Sequence, residues 1–177
     1  MRRVLLALTF SAALAAGQPR VTREAMASVE QSIDQRIRGL DVNAPYDLLG
    51  FTRGVYLPGY GVVLTSEVNL VVTLITPFHP ALTPVQLTQL HQKKIQRLEV
   101  IRGLMREALV AAAVTLDPVP ANEQVVFGMT LFYRKFEQRE GLPGQIIMQA
   151  PKRTLLDFKA NRISKAELDR AIQVEEL

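Results

Sequence analysis

Apolar and polar residues alternate with period two on both sides of Leu57-Pro58-Gly59-Tyr60, and the stretch from Leu48 to Ile75 therefore reads as a long β-hairpin. Proline presets the second position of a tight turn and glycine tolerates positive φ after it. With Leu57 opposite Tyr60, Val55 faces Val62, Arg53 faces Leu64, Phe51 faces Ser66 and Leu49 faces Val68, all on one face. That face continues through Leu70, Val72 and Leu74 and is the expected core side. Thr52, Gly54, Tyr56, Gly61, Val63, Thr65, Glu67, Asn69 and Thr73 fall on the other, which an antiparallel sheet can show to water. A bulge or longer loop would move the pairing by one residue and exchange the faces.

Helical spacing governs the flanks. Met26, Val29, Ile33 and Ile37 predict an amphipathic helix over Thr22 to Arg38, ending at Gly39, with Glu30, Gln31, Asp34 and Gln35 on its water side. A second helix runs from Pro84 to about Thr115, capped by Thr83, with an apolar stripe of Leu87, Leu90, Ile95, Leu98, Ile101, Met105, Ala108, Leu109 and Ala112. His91, Lys94 and Arg102 interrupt that stripe and are expected at its margin with their heads in water. Thr76-Pro77-Phe78-His79-Pro80 is a loop. Gln124 to Phe136 alternates as a strand, and a turn at Gly141-Leu142-Pro143-Gly144 leads to a short partner, Gln145 to Gln149. Between them KFEQRE, residues 135–140, reads as a solvated hairpin end. Pro151 opens a short helix to Phe158, Ser164-x-x-Glu167 is a capping box for another, and Gln173 to Leu177 is its end or a frayed terminus.

The order α-ββ-α-ββ-α predicts an α+β, two-layer domain: a mainly antiparallel four-stranded sheet with the long helix packed on one face. It divides into an N-terminal helix and linker (18–47), the two hairpins with the long helix (48–150) and a C-terminal helical segment (151–177). In element order it resembles profilin-like and roadblock-type domains, a likeness that carries no function. The YLPGYG turn at Tyr56 to Gly61, with its flanking strands, resembles a motif of uncharacterised exported bacterial proteins from about residue 48 onward. That resemblance implies export and a shared fold, and it brings no catalytic residues.

The first seventeen residues, MRRVLLALTFSAALAAG, have the basic start, apolar run and small-residue end of a secretory signal peptide. The apolar run is about thirteen residues, short of the ~20 that cross a bilayer as a helix. The expected location is therefore exported, periplasmic or secreted. The 177-residue chain has 21 Lys and Arg against 17 Asp and Glu. Two arginines belong to the leader, so 19 remain against 17 and the mature excess is about two positive charges, too few to argue for nucleic acid. With no cysteine, the exported domain must stand on its core without disulfides.

Motifs for chemistry are sparse. His79 and His91 are the only histidines and do not form a metal-ligand spacing. There is no Gly-x-Ser-x-Gly, Ser-x-x-Lys or phosphate-binding loop. Arg134-Lys135 and Lys152-Arg153 are short, balanced by acids, and expected to face water. No cofactor is implied. Two expectations follow. In the first, a non-enzymatic exported protein binds another protein or an envelope component through its open sheet face or strand edge, using Tyr56, Thr65, Glu67, Asn69 and Phe132. In the second, a hydrolase-like or ligand-processing enzyme uses His79 or His91 with Glu67 or Glu99 where the proline loop meets the start of the long helix.

Overall fold

The computed structural model describes residues 21–73 and 82–177. The predicted leader, the proline loop with His79, and Leu74 and Ile75 lie outside the described residues. The elements are α1 (Arg23–Gly39), β1 (Asp47–Leu48), β2 (Arg53–Leu57), β3 (Gly61–Asn69), α2 (Pro84–Thr115), β4 (Gln124–Leu131), β5 (Gln145–Pro151), α3 (Lys152–Lys159), α4 (Lys165–Ala171) and β6 (Gln173–Glu176). The helix boundaries follow their local signals closely. Thr22 caps α1 by accepting from the Ala25 amide, and Thr83 and Gln86 close a reciprocal capping box on α2, as Ser164 and Glu167 do on α4.

The fold is α+β, but the sheet is not the expected four-stranded, mainly antiparallel one. It is six-stranded and mixed, in the order β1-β3-β4-β5-β6, with β2 also pairing β3. Its two central strands, β3 and β4, run parallel, with Leu64 opposite Phe127 and Ser66 opposite Met129. The cause is the length of α2. Its 32 residues reach about 48 Å, enough to return the chain to the starting end of β3 and make a crossover unit. Both central strands are accordingly buried along most of their length. β4 ends at Leu131 rather than Phe136, and β5 continues to Pro151. The C-terminal tail is neither helical nor frayed: β6 adds antiparallel to β5, with Val174 opposite Met148.

The hairpin turn forms as expected, with the Tyr60 amide donating to the Leu57 carbonyl at 3.0 Å and Gly59 at φ +82°. The ladder, however, closes at Leu57 opposite Gly61, one residue beyond the predicted pair, so Tyr56 faces Val62 and Gly54 faces Leu64. The slip leaves β3 as expected, with Val62, Leu64, Ser66, Val68 and, just after it, Leu70 buried. It inverts β2. Phe51, Val55 and Leu57 are exposed, while Thr52, Gly54 and Tyr56 turn toward the core. Past the strand, Val72 is also exposed.

One core joins Met26, Val29, Ile33 and Ile37 of α1, Leu98 to Ala113 of α2, the inward residues of β3, β4 and β5, and Leu155, Leu168 and Ile172. Several predicted solvent residues belong to this interior, Glu30, Asp34 and Lys152 among them. Glu30 and Asp34 of α1 are buried because their carboxylates accept the Gly54 and Thr52 amides, at 2.8 and 2.9 Å, along the outer edge of β2. Arg23 holds Glu30 through two hydrogen bonds, which together with the Gly54 amide keep its carboxyl below the usual range. Lys152, expected in water, is buried, and its Nζ donates to the carbonyls of Leu116, Asp117 and Val119 at 2.7–2.9 Å. It ties off the C-terminal end of α2.

Candidate functional site

The YLPGYG turn sits against the residues that enter β4. Glu123, buried, accepts from the Gly59 amide at 2.9 Å and from the Tyr56 hydroxyl at 3.3 Å. The Gln124 amide donates to the Tyr60 carbonyl at 2.8 Å. Gly61 has φ +137°, and a Cβ built there would lie 1.9 Å from the Gln124 carbonyl oxygen. Each conspicuous residue of the motif therefore has a structural task in clamping the hairpin to the start of β4. Burial raises the Tyr56 hydroxyl pKa, with the Glu123 bond acting in the same direction.

The five residues expected to form one recognition surface separate. Tyr56 packs against the core with its hydroxyl on Glu123. Asn69 is buried, its side-chain oxygen accepting from Lys94 Nζ at 3.3 Å. Thr65 and Glu67 are exposed on the outer face of β3, opposite Gly128 and Thr130 in the ladder. Phe132 follows β4 and is 38% exposed. The sheet's outer face thus keeps Thr65 and Glu67 and recruits residues that sequence reasoning placed elsewhere. Reading across the strands, Val55 pairs Val63, Val63 pairs Val126 and Val126 pairs Gln149; one row on, Arg53, Thr65, Gly128 and Ile147 are successive partners. Val55 is 50% exposed and Leu57 44%, Val63 and Ile147 are half-buried, and Val126 is buried although it lies outside the core cluster. This face has an apolar centre with polar groups around it: Thr65, Glu67, Thr130, Gln145 and Gln149, the last bonded to Gln173 at 2.7 Å.

Of the three residues expected at the wet margin of α2, His91 and Arg102 stay partly exposed there and Lys94 does not. Lys94 is 1% exposed and forms an ion pair with Glu137, the residue of KFEQRE expected in solvent. Burial depresses the Lys94 pKa, against the pull of Glu137. Tyr133 lies beneath the same ammonium, 4.9 Å from ring centre to Nζ, and burial pushes its hydroxyl up to about 12. Arg97 is also buried, its guanidinium 4.1 Å from the Tyr46 ring and bonded to Asp41. These groups pin the loops at the far end of the sheet to α2. Arg102 reaches across to Glu176 of β6 at 2.8 Å and also pairs Glu99.

His91 places Nδ1 3.1 Å from the Gln138 carbonyl. Glu99 is engaged by Arg102, and Glu67 is on the outer face of the sheet, so the described residues do not assemble the expected histidine–carboxylate pair. Among the described residues no group of three or more His, Asp and Glu is placed to hold a metal ion, and no helix is long and apolar enough to cross a membrane. No protein-family model, curated protein or solved structure matches this chain. Its function must be argued from geometry.

Proposed function

We propose that this is an exported, non-enzymatic α+β module that binds another protein or an envelope component through the outer face of its sheet. The observation that carries the reading is the apolar row of exposed Val55 and half-buried Val63 and Ile147 around the buried Val126, edged by Thr65, Glu67, Thr130 and Gln149. A hydrophobic centre inside a polar border is the anatomy of a protein interface. The strand edge is a poorer candidate than the face, because Glu30 and Asp34 already take amides along β2 and β6 offers only a short strand bearing Glu175 and Glu176. The export half of the proposal rests on the leader pattern and on the resemblance of the YLPGYG hairpin.

The test is a pair of outer-face variants, Val55→Lys and Thr65→Lys, both at exposed positions. Chemical crosslinking of the exported chain in an envelope extract is expected to give a discrete adduct that both variants lose while their melting temperatures stay at the parent value. An adduct that survives both substitutions would remove the outer face as the contact surface.

A further inference from the structure

Helix α2 carries an apolar run, Ala108 to Val114, that wraps its whole circumference, whereas a helix lying on a sheet needs only one apolar side. Its inward side, Ala108, Leu109, Ala112 and Ala113, is in the core. Its outward side floors a groove of about 620 Å³ lined by Val110, Ala111, Val114, Phe158 and Leu168, between α1 on one flank and α3 and α4 on the other. Val114 is 45% exposed there. A second hollow of about 350 Å³ adjoins it past Val100 and Leu104 and shares Arg36, Gly103 and Glu107 with the first. Gly103 joins the two: nothing lies within 4 Å of where its Cβ would be. Val100, Gly103, Leu104, Glu107, Val110, Ala111 and Val114 recur at helical spacing, so the trough follows α2 for about 21 Å, the rise of fourteen residues.

The border of the larger hollow is cationic. Arg36, Arg106, Lys159 and Lys165 stand against Glu107 and Asp169, four positive groups to two negative. Lys165 holds Asp169 at 2.5 Å, whereas Arg36 touches Glu107 at 3.5 Å and Arg106 touches Asp169 at 3.4 Å, two long contacts between partly exposed groups that a better anion would displace, and Lys159 makes no ion pair among the described residues. We propose that this trough binds a single-chain anionic amphiphile, a long-chain fatty carboxylate, with its chain along α2 and its head among the border cations. The volume lies in the range of about 300–1,000 Å³ that small-molecule sites occupy, and an apolar floor with a few convergent charges is their usual make-up. Charge selects this occupant over the alternatives. The leader would bring Arg2 and Arg3 to a border already in positive excess, and a second copy of the chain would bring the same cations face to face. The site is on the helical side of the molecule and does not depend on the sheet-face reading.

The test titrates the full chain with palmitate, below the concentration at which it forms micelles, by calorimetry. Saturable binding of one palmitate per chain is expected, with hexadecanol, which lacks the charge, binding less tightly. Gly103→Leu and Val114→Glu should each weaken palmitate by about tenfold or more, what losing two buried methylenes amounts to. Gly103→Leu lies in open space and Val114 is exposed, so melting temperatures that do not fall below the parent's separate blockage from misfolding. Arg106→Gln combined with Lys159→Gln should reduce palmitate binding and leave hexadecanol unchanged. The proposal is overturned if no saturable binding is seen, or if both blocking variants bind as the parent does. It is equally overturned by a dimer in sedimentation that Gly103→Leu dissolves, which would give the trough to a second copy. Palmitate binding that appears only after residues 1–17 are cut away would give it to the leader.

Discussion

The ammonium of Lys152 serves three carbonyls, those of Leu116, Asp117 and Val119, so replacing it with methionine strands three acceptors at the end of α2. Lys152→Met is expected to lower stability by about 2–3 kcal/mol, read as a lower urea midpoint with an unchanged slope. An unaltered midpoint would mean that those carbonyls reach water. Glu30 gives a pH test. Its folded pKa lies below the ordinary value, chiefly through the Arg23 hydrogen bonds. Its contribution is therefore full above the unfolded carboxylate pKa and is lost as pH falls through the folded value. Glu30→Gln should unfold at lower urea than the parent at neutral pH, and the two should converge in acid below the usual carboxylate range. Two glycines should respond in opposite directions. Gly61→Ala drives a Cβ into the Gln124 backbone at a positive φ and is expected to cost more than about 3 kcal/mol. Gly103→Ala meets open space inside a helix and should add about 1 kcal/mol. Both are read by thermal melting.

At the scale of elements, β6 is a short cover for β5, whose Gln145–Pro151 stretch would otherwise be a free edge. Truncation after Ile172 is expected to leave the domain folded by circular dichroism but prone to associate, seen as a rise in light scattering with concentration. A truncated chain that stays monomeric would show that β5 does not need its cover. The elements divide by how local their causes are. The Ser164-x-x-Glu167 capping box of α4 and the Thr83 cap with the Pro84 start of α2 were legible because a cap is decided within four residues. The β2 register was not, since it depends on whether Tyr60 or Gly61 opens the return strand, and one residue exchanged Val55 with Tyr56 between the faces. β6 was missed because Gln-Val-Glu-Glu has no alternation of its own and is a strand only through β5. Lys94 and Lys152 read as surface cations because nothing in their neighbours along the chain discloses what surrounds them in space.

For the whole molecule, α+β layering was legible from the succession of periods, and the parallel pairing of β3 with β4 was not, because it is settled by where a 32-residue crossover sets the chain down. The same crossover decides which surfaces are available. It assigns one face of the sheet to the helices and leaves Val63, Thr65, Glu67 and Ile147 at least partly open on the other. Of the residues expected to form the candidate site, Thr65 and Glu67 remain there; Tyr56 and Asn69 were drawn inward by Glu123 and Lys94, partners distant in sequence.

The carboxylates that α1 lays along β2 have a further consequence. With one border of the ribbon occupied by Glu30 and Asp34 and the opposite border ending in a short strand of glutamates, neither margin invites another chain to extend the hydrogen-bonded array. Such a molecule should remain a discrete particle even when crowded, and whatever it meets must approach it broadside.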